Sequence, residues 1–140
     1  MNDIPTTLNG GCRCGAVRYR VTGAPLTAAT CHCRDCQYLS GGAPAHALVY
    51  PTDALAVLHG TPREYRYLGD SGHEVMRSFC ADCGTPLFGA SAGQGYVIVR
   101  AGSLDDPEAY RNRVSLWTDS APSWHRPDPD APRFARNTPG

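Results

Sequence analysis

The feature that most constrains this chain is the spacing of its seven cysteines. They fall in three short clusters: Cys12 and Cys14 in "GCRCG", Cys31, Cys33 and Cys36 in "CHCRDC", and Cys80 and Cys83 in "CADCG". A Cys-x-Cys pair on extended backbone presents both sulfurs to one face, because strand side chains alternate. A Cys-x-x-Cys pair does the same through a tight turn, and Gly84 supplies the backbone freedom that such a knuckle needs at its exit. An odd number of cysteines cannot pair completely as disulfides. The opening residues "MNDIPTTLNG" lack a charged and then apolar leader, and no apolar run approaches the ~20 residues of a membrane span. The expected setting is cytoplasmic, where clustered cysteines serve metal binding or catalysis rather than cross-linking.

Two partitions of the thiols are sensible. In one, Cys12, Cys14, Cys80 and Cys83 close a four-thiolate metal site, and Cys31, Cys33 and Cys36 hold a second ion with one position open. In the other, Cys33, Cys36, Cys80 and Cys83 form a zinc-ribbon-like pair of knuckles and strand the remaining three. The first is preferred because it uses each local cluster whole. A saturated four-thiolate zinc is structural, whereas a catalytic zinc keeps a position for water or substrate. Iron is the runner-up metal for the closed site. A histidine could still close the triplet. On extended backbone the ring of His32 points away from its cysteine neighbours, and His46, His59 and His73 read as surface or hydrogen-bonded groups.

Glycine (15) and proline (12) cut the chain into short pieces, which favours strands and turns over long helices. Strands are expected at 16–21, 45–50, 55–60, 64–69, 74–80, 86–90, 96–104 and 113–117. One helical turn is expected within 35–41 and another within 105–110. The segment 119–140 carries five prolines, so it forms no regular element, and its Trp124 and Phe134 call for packing along the body of one domain spanning 1–140. That length suffices for one modest core. The formal net charge is zero and all thirteen basic residues are arginine, so no basic excess points to nucleic acid.

Three thiolates on zinc leave a net charge near −1 and donate electron density strongly. They weaken the acidity that zinc held by imidazoles confers on bound water. The soft site suits capture of a further thiol, which coordination deprotonates to the nucleophilic form. The expected chemistry is thiol addition to an electrophilic carbon, or the reverse carbon–sulfur cleavage.

Three stretches in order, "GGCRCGAVRYRV", "CHCRDCQ" and "RSFCADCGTPLF", with a closing "DSAPSW" and "PDAPRF", resemble the glutathione-dependent formaldehyde-activating enzyme family, which includes the centromere protein V group. The resemblance runs from about Gly10 to Phe134. It implies an all-β fold of several small antiparallel sheets organised around zinc, the β-tent (Mss4-like) arrangement. It implies that Cys12, Cys14, Cys80 and Cys83 hold structural zinc and that Cys31, Cys33 and Cys36 hold catalytic zinc, so two zinc ions per chain, the second less firmly bound. The family reaction joins glutathione and formaldehyde into S-(hydroxymethyl)glutathione, making the chain a carbon–sulfur lyase whose partners are a small thiol and an aldehyde. Such chemistry needs mainly proximity, and no acid–base pair stands out; His73 and Asp119 read as surface hydrogen-bonding groups. Arg34, inside the triplet loop, is a candidate for a substrate carboxylate. Tyr38 is a candidate pocket wall. Two alternatives accompany this reading: a two-zinc binding module for protein or nucleic acid, and thiol redox or metal buffering by the triplet.

Overall fold

A computed structural model describes residues 3–69 and 72–138, so Pro139 and Gly140 of the proline-rich segment lie outside the described residues. The chain is nearly all β, as the punctuated sequence implied. Among the described residues ten strands form: β1 (Thr7–Gly11), β2 (Arg18–Thr22), β3 (Thr27–Cys31), β4 (Ala45–Pro51), β5 (Leu55–His59), β6 (Arg63–Leu68), β7 (Glu74–Phe79), β8 (Pro86–Ser91), β9 (Tyr96–Arg100) and β10 (Val114–Leu116). One short helix, α1 (Arg34–Leu39), sits inside the cysteine triplet. A three-stranded sheet runs β1-β2-β5 and a seven-stranded sheet runs β10-β3-β4-β9-β8-β7-β6. Pairing is antiparallel except between β10 and β3, which run parallel.

Two of these strands were not legible as such. β1 reads "TLNGG", with residues that are poor strand formers. Its Gly10 is there for close approach: a Cβ would lie 2.4 Å from the Tyr19 hydroxyl and 2.5 Å from the Ser103 carbonyl. β3 reads "TAATC", too small and uniform to show alternation, yet it is a central strand between β10 and β4. The strand expected over 96–104 stops at Arg100, where Ala101–Ser103 turn as a 3-10 helix. There the Ser103 hydroxyl donates to the Arg100 carbonyl at 2.8 Å.

Strand alternation gives the large sheet two different faces. Leu48 and Tyr50 of β4, Val97 and Val99 of β9 and Phe88 of β8 enter a core shared with Tyr19 and Val21 of the small sheet. Tyr19 and Phe88 meet edge to face at 4.9 Å. Fully burying each such side chain contributes about 1.5–3 kcal/mol. The opposite face carries Ala29 and Cys31 of β3, Ala47 of β4, Gly89 of β8 and Arg100 of β9, and these line a cleft of about 510 Å³. Small residues at its centre make the depression.

The proline-rich segment returns to β10. Ser115 N–H donates to the Pro132 carbonyl and Phe134 N–H to the Ser115 carbonyl, both at 2.9 Å, and Trp117 N–H to the Arg136 carbonyl at 3.0 Å. Trp124 is 63% exposed, although its ring meets His125 edge-on at 4.7 Å.

Candidate metal centres

Cys12 and Cys14 follow β1, and Cys80 and Cys83 lie between β7 and β8. Each pair is carried by a hydrogen-bonded loop. Cys12 N–H donates to the Val17 carbonyl at 3.1 Å, Cys80 N–H to the Thr85 carbonyl at 3.0 Å, and Gly84 N–H to the Cys80 carbonyl at 2.9 Å. Gly84 adopts φ 78°, a left-handed conformation that glycine takes without penalty. Arg13 N–H donates to Thr85 Oγ1 at 3.0 Å and ties the two loops together.

The four sulfurs lie within 4.8 Å of one another. Cys12 Sγ is 3.6 Å from Cys14 Sγ, which is 3.8 Å from Cys80 Sγ. Zinc–sulfur bonds of about 2.3 Å set the edge of a tetrahedron near ~3.8 Å, so this donor set fits a four-thiolate ion. Backbone N–H groups support two of the sulfurs: Val17 donates to Cys12 Sγ at 3.2 Å and Asp82 to Cys80 Sγ at 3.4 Å. Hydrogen bonds from Thr85 push the Cys83 thiol down to about 5.

The second cluster is built from one strand end and one helix start. Cys31 ends β3, Cys33 caps α1, and Cys36 lies in its first turn, buried. Cys33 Sγ accepts from Cys36 N–H at 3.4 Å. These three sulfurs also lie within 4.8 Å of one another. Hydrogen bonds from Cys31 and Cys33 push Cys36 down to about 3, while the same contacts push Cys31 up. The three close sulfurs thus compete for protons, and a divalent ion would replace them.

No histidine or carboxylate joins this trio among the described residues. His32 is fully buried and turned to the far side, with Nδ1 2.9 Å from His125 Nδ1. His125 Nε2 donates to the Gly42 carbonyl at 2.8 Å, so its Nδ1 accepts and His32 Nδ1 donates. Gln37 Nε2 donates to the carbonyls of His32 and Ser120 at 2.9 and 3.1 Å. These bonds hold the triplet loop to the C-terminal segment.

The trio opens into the cleft of about 510 Å³, whose walls include Tyr67, Met76, Leu116 and Trp117. Neither His73 nor Asp119 lines it. Arg34 donates to Gln37 of its own helix and lies 4.7 Å over the Tyr38 ring, which is 79% exposed. Two arginines that sequence reading passed over do line it: Arg77 of β7 and Arg100 of β9. Arg77 Nε donates to the Tyr67 hydroxyl at 2.8 Å. Arg100 is 9% exposed. Burial and the Arg77 cation pull Arg100 down to about 10, so it keeps its charge at neutral pH. The available signal was a charged residue at an inward position of "YVIVR", where its alternate neighbours are Tyr96 and Ile98.

The fold and sites define a class: a β-sheet protein with one cluster of four convergent cysteines and a second of three that opens to a cleft. A family profile described as glutathione-dependent formaldehyde-activating enzyme matches residues 7–120. The chain belongs to that family. A Halomonas elongata protein bearing the provisional name glutathione-dependent formaldehyde-activating enzyme is 29% identical over 124 residues, covering 84% of this chain and 78% of the relative. The crystal structure of a Rhodobacter sphaeroides protein matches in fold with a TM-score of 0.56 and 24% identity, over 70% of this chain and 88% of that one.

Proposed function

We propose that this chain is a single-domain, two-zinc carbon–sulfur lyase, similar to an S-(hydroxymethyl)glutathione synthase, that adds glutathione or a similar thiol to an aldehyde and reverses the addition. The observation that carries this reading is the trio of Cys31, Cys33 and Cys36 sulfurs, convergent, one ligand short of a tetrahedron, and open to a cleft. Family membership supports the thiol and the aldehyde. Seven free thiols support a reducing, cytoplasmic setting.

Cys12, Cys14, Cys80 and Cys83 serve structure and Cys31, Cys33 and Cys36 serve chemistry. Zinc held by the trio would supply the acidity that lets a thiol lose its proton and become nucleophilic. The chain's own part is placement. The three cysteines fix one point on the cleft floor, and Leu116 and Trp117 wall it from water. Arg77 and Arg100 hold positive charge towards the sulfurs, which favours the thiolate. In the reaction the thiol sulfur bonds to the carbonyl carbon. The carbonyl π pair moves to oxygen, and that oxygen takes up a proton in place of the one the thiol released. Formaldehyde reacts readily with thiols, so holding the two together is the main requirement.

Exchange NMR between free and adduct formaldehyde at fixed glutathione tests the reading. Protein should accelerate the exchange. An unchanged rate at stoichiometric protein removes the proposed activity.

A further inference from the structure

The Arg100 guanidinium makes no hydrogen bond among the described residues, and its Nε is buried without a partner. Arg77 Nη1 is likewise buried and unpartnered. Buried charges are costly unless paired, and a guanidinium has five donors to satisfy. Asp35 lines the same cleft on its exposed rim, yet forms no ion pair with either arginine among the described residues. Cys36 lines the same cleft as both cations, and any negative charge on its sulfur lies towards them. A divalent ion at the trio would draw on that same negative charge, so the sulfurs alone do not answer two guanidinium groups.

The sheet is shaped to admit Arg100. Its cross-strand neighbourhood is Ala47 on β4 and Gly89 on β8, and a Cβ at Gly89 would lie 2.8 Å from Arg100 Nη2. Gly89 in turn pairs with Arg77 in register. A glycine in mid-strand weakens the strand, and here it clears the space in which the Arg100 guanidinium lies.

We infer that Arg77 and Arg100 form an anion subsite on the cleft floor that takes a carboxylate of the incoming thiol. The substrate class is then a thiol bearing a carboxylate, anchored at sulfur and at the carboxylate together. This rests on the proposed thiol-binding role of the trio. Two-point anchoring fixes the sulfur's approach to the aldehyde, and guanidinium recognises carboxylate through paired donors.

The test is a titration of cobalt-substituted protein, reading the sulfur-to-cobalt charge-transfer band, with glutathione and with glutathione diethyl ester. Wild type should bind glutathione roughly ten- to a hundredfold tighter than the ester, the range expected for one charge-assisted bond. Arg100→Met should weaken glutathione far more than the ester, collapsing that preference towards unity, and Arg100→Lys should recover part of it. Gly89→Ala keeps both cations but crowds Arg100, and should reduce the preference severalfold, which guards against misfolding of the arginine variants. A preference unchanged in Arg100→Met and in Gly89→Ala overturns the subsite. Equal weakening of both thiols overturns it too, since the arginines would then only offset the charge of the cysteines. If neither thiol perturbs the wild-type band, the thiol-binding reading itself fails, and the subsite with it.

Discussion

The two thiolate centres use the same ligand at similar spacings and differ in what they join. The four-cysteine centre gathers two loops some 66 positions apart, Cys14 and Cys80 being in contact, and ties the small sheet to the large one. Its sulfurs take donors from Val17 and Asp82 and do not line the 510 Å³ cleft. The three-cysteine centre spans six residues at one strand–helix junction and joins nothing distant through its ligands. It faces a cleft with two cations. A metal that closes long loops contributes to folding, and one held by a short local loop is free to serve chemistry.

The largest expected effect breaks the first centre. On the proposed zinc assignment, Cys80→Ser should leave no cooperatively folded chain, because a structural zinc contributes on the order of 10–16 kcal/mol. A thermal melt by circular dichroism reads this, and a wild-type-like melt would show that the four-cysteine centre is dispensable for folding. Next, the triple change Cys31→Ser, Cys33→Ser, Cys36→Ser should remove one metal per chain by elemental analysis and abolish formaldehyde exchange, with the melt preserved. Loss of folding in the triple variant would erase the distinction between the centres.

How much of this was legible in the sequence follows the same divide. The cysteine clusters were, because ligand spacing is local. The strands with alternating or apolar patterns were, from "RYRVT" to "YVIVR". β1 and β3 were not, since the glycines of β1 and the small residues of β3 are set by close approach and by central position in a sheet. The trio's company was not legible either. Arg77 and Arg100 come from strands well apart in sequence, and only the register through Gly89 brings them together. Arg34, adjacent to the trio in sequence, bonds within its own helix instead. His125 could not be tied to His32 without the fold, because the return of the C-terminal segment decides that contact.

Smaller perturbations sharpen the comparison. His125→Ala strips a partner from buried His32 and should cost about 1–3 kcal/mol. Metal content should match wild type, since neither cysteine cluster includes a histidine; a loss of metal would mean that the second cluster depends on this anchor. Asp105→Asn should cost least. Arg18 grips Asp105 through two hydrogen bonds and holds its carboxyl below the usual range. The pair is well exposed, with Asp105 at 50%, so it is worth under about 1 kcal/mol. The sign follows from linkage: a depressed carboxylate stabilises the fold above its unfolded value near ~4, and that contribution disappears as pH falls through the folded value. Urea titrations of wild type and Asp105→Asn should converge at low pH and at high salt, and a gap that persists there would point to packing instead of charge.

The return of the C-terminal segment to β10 has a consequence for biosynthesis. Chains emerge from the ribosome N-terminus first. When Arg100 emerges, the three sulfurs and both cations are already outside the ribosome, while Leu116 and Trp117 still follow behind. A nascent chain therefore presents its second cysteine cluster as a bare shelf, and residues that emerge later put up the side of the cup.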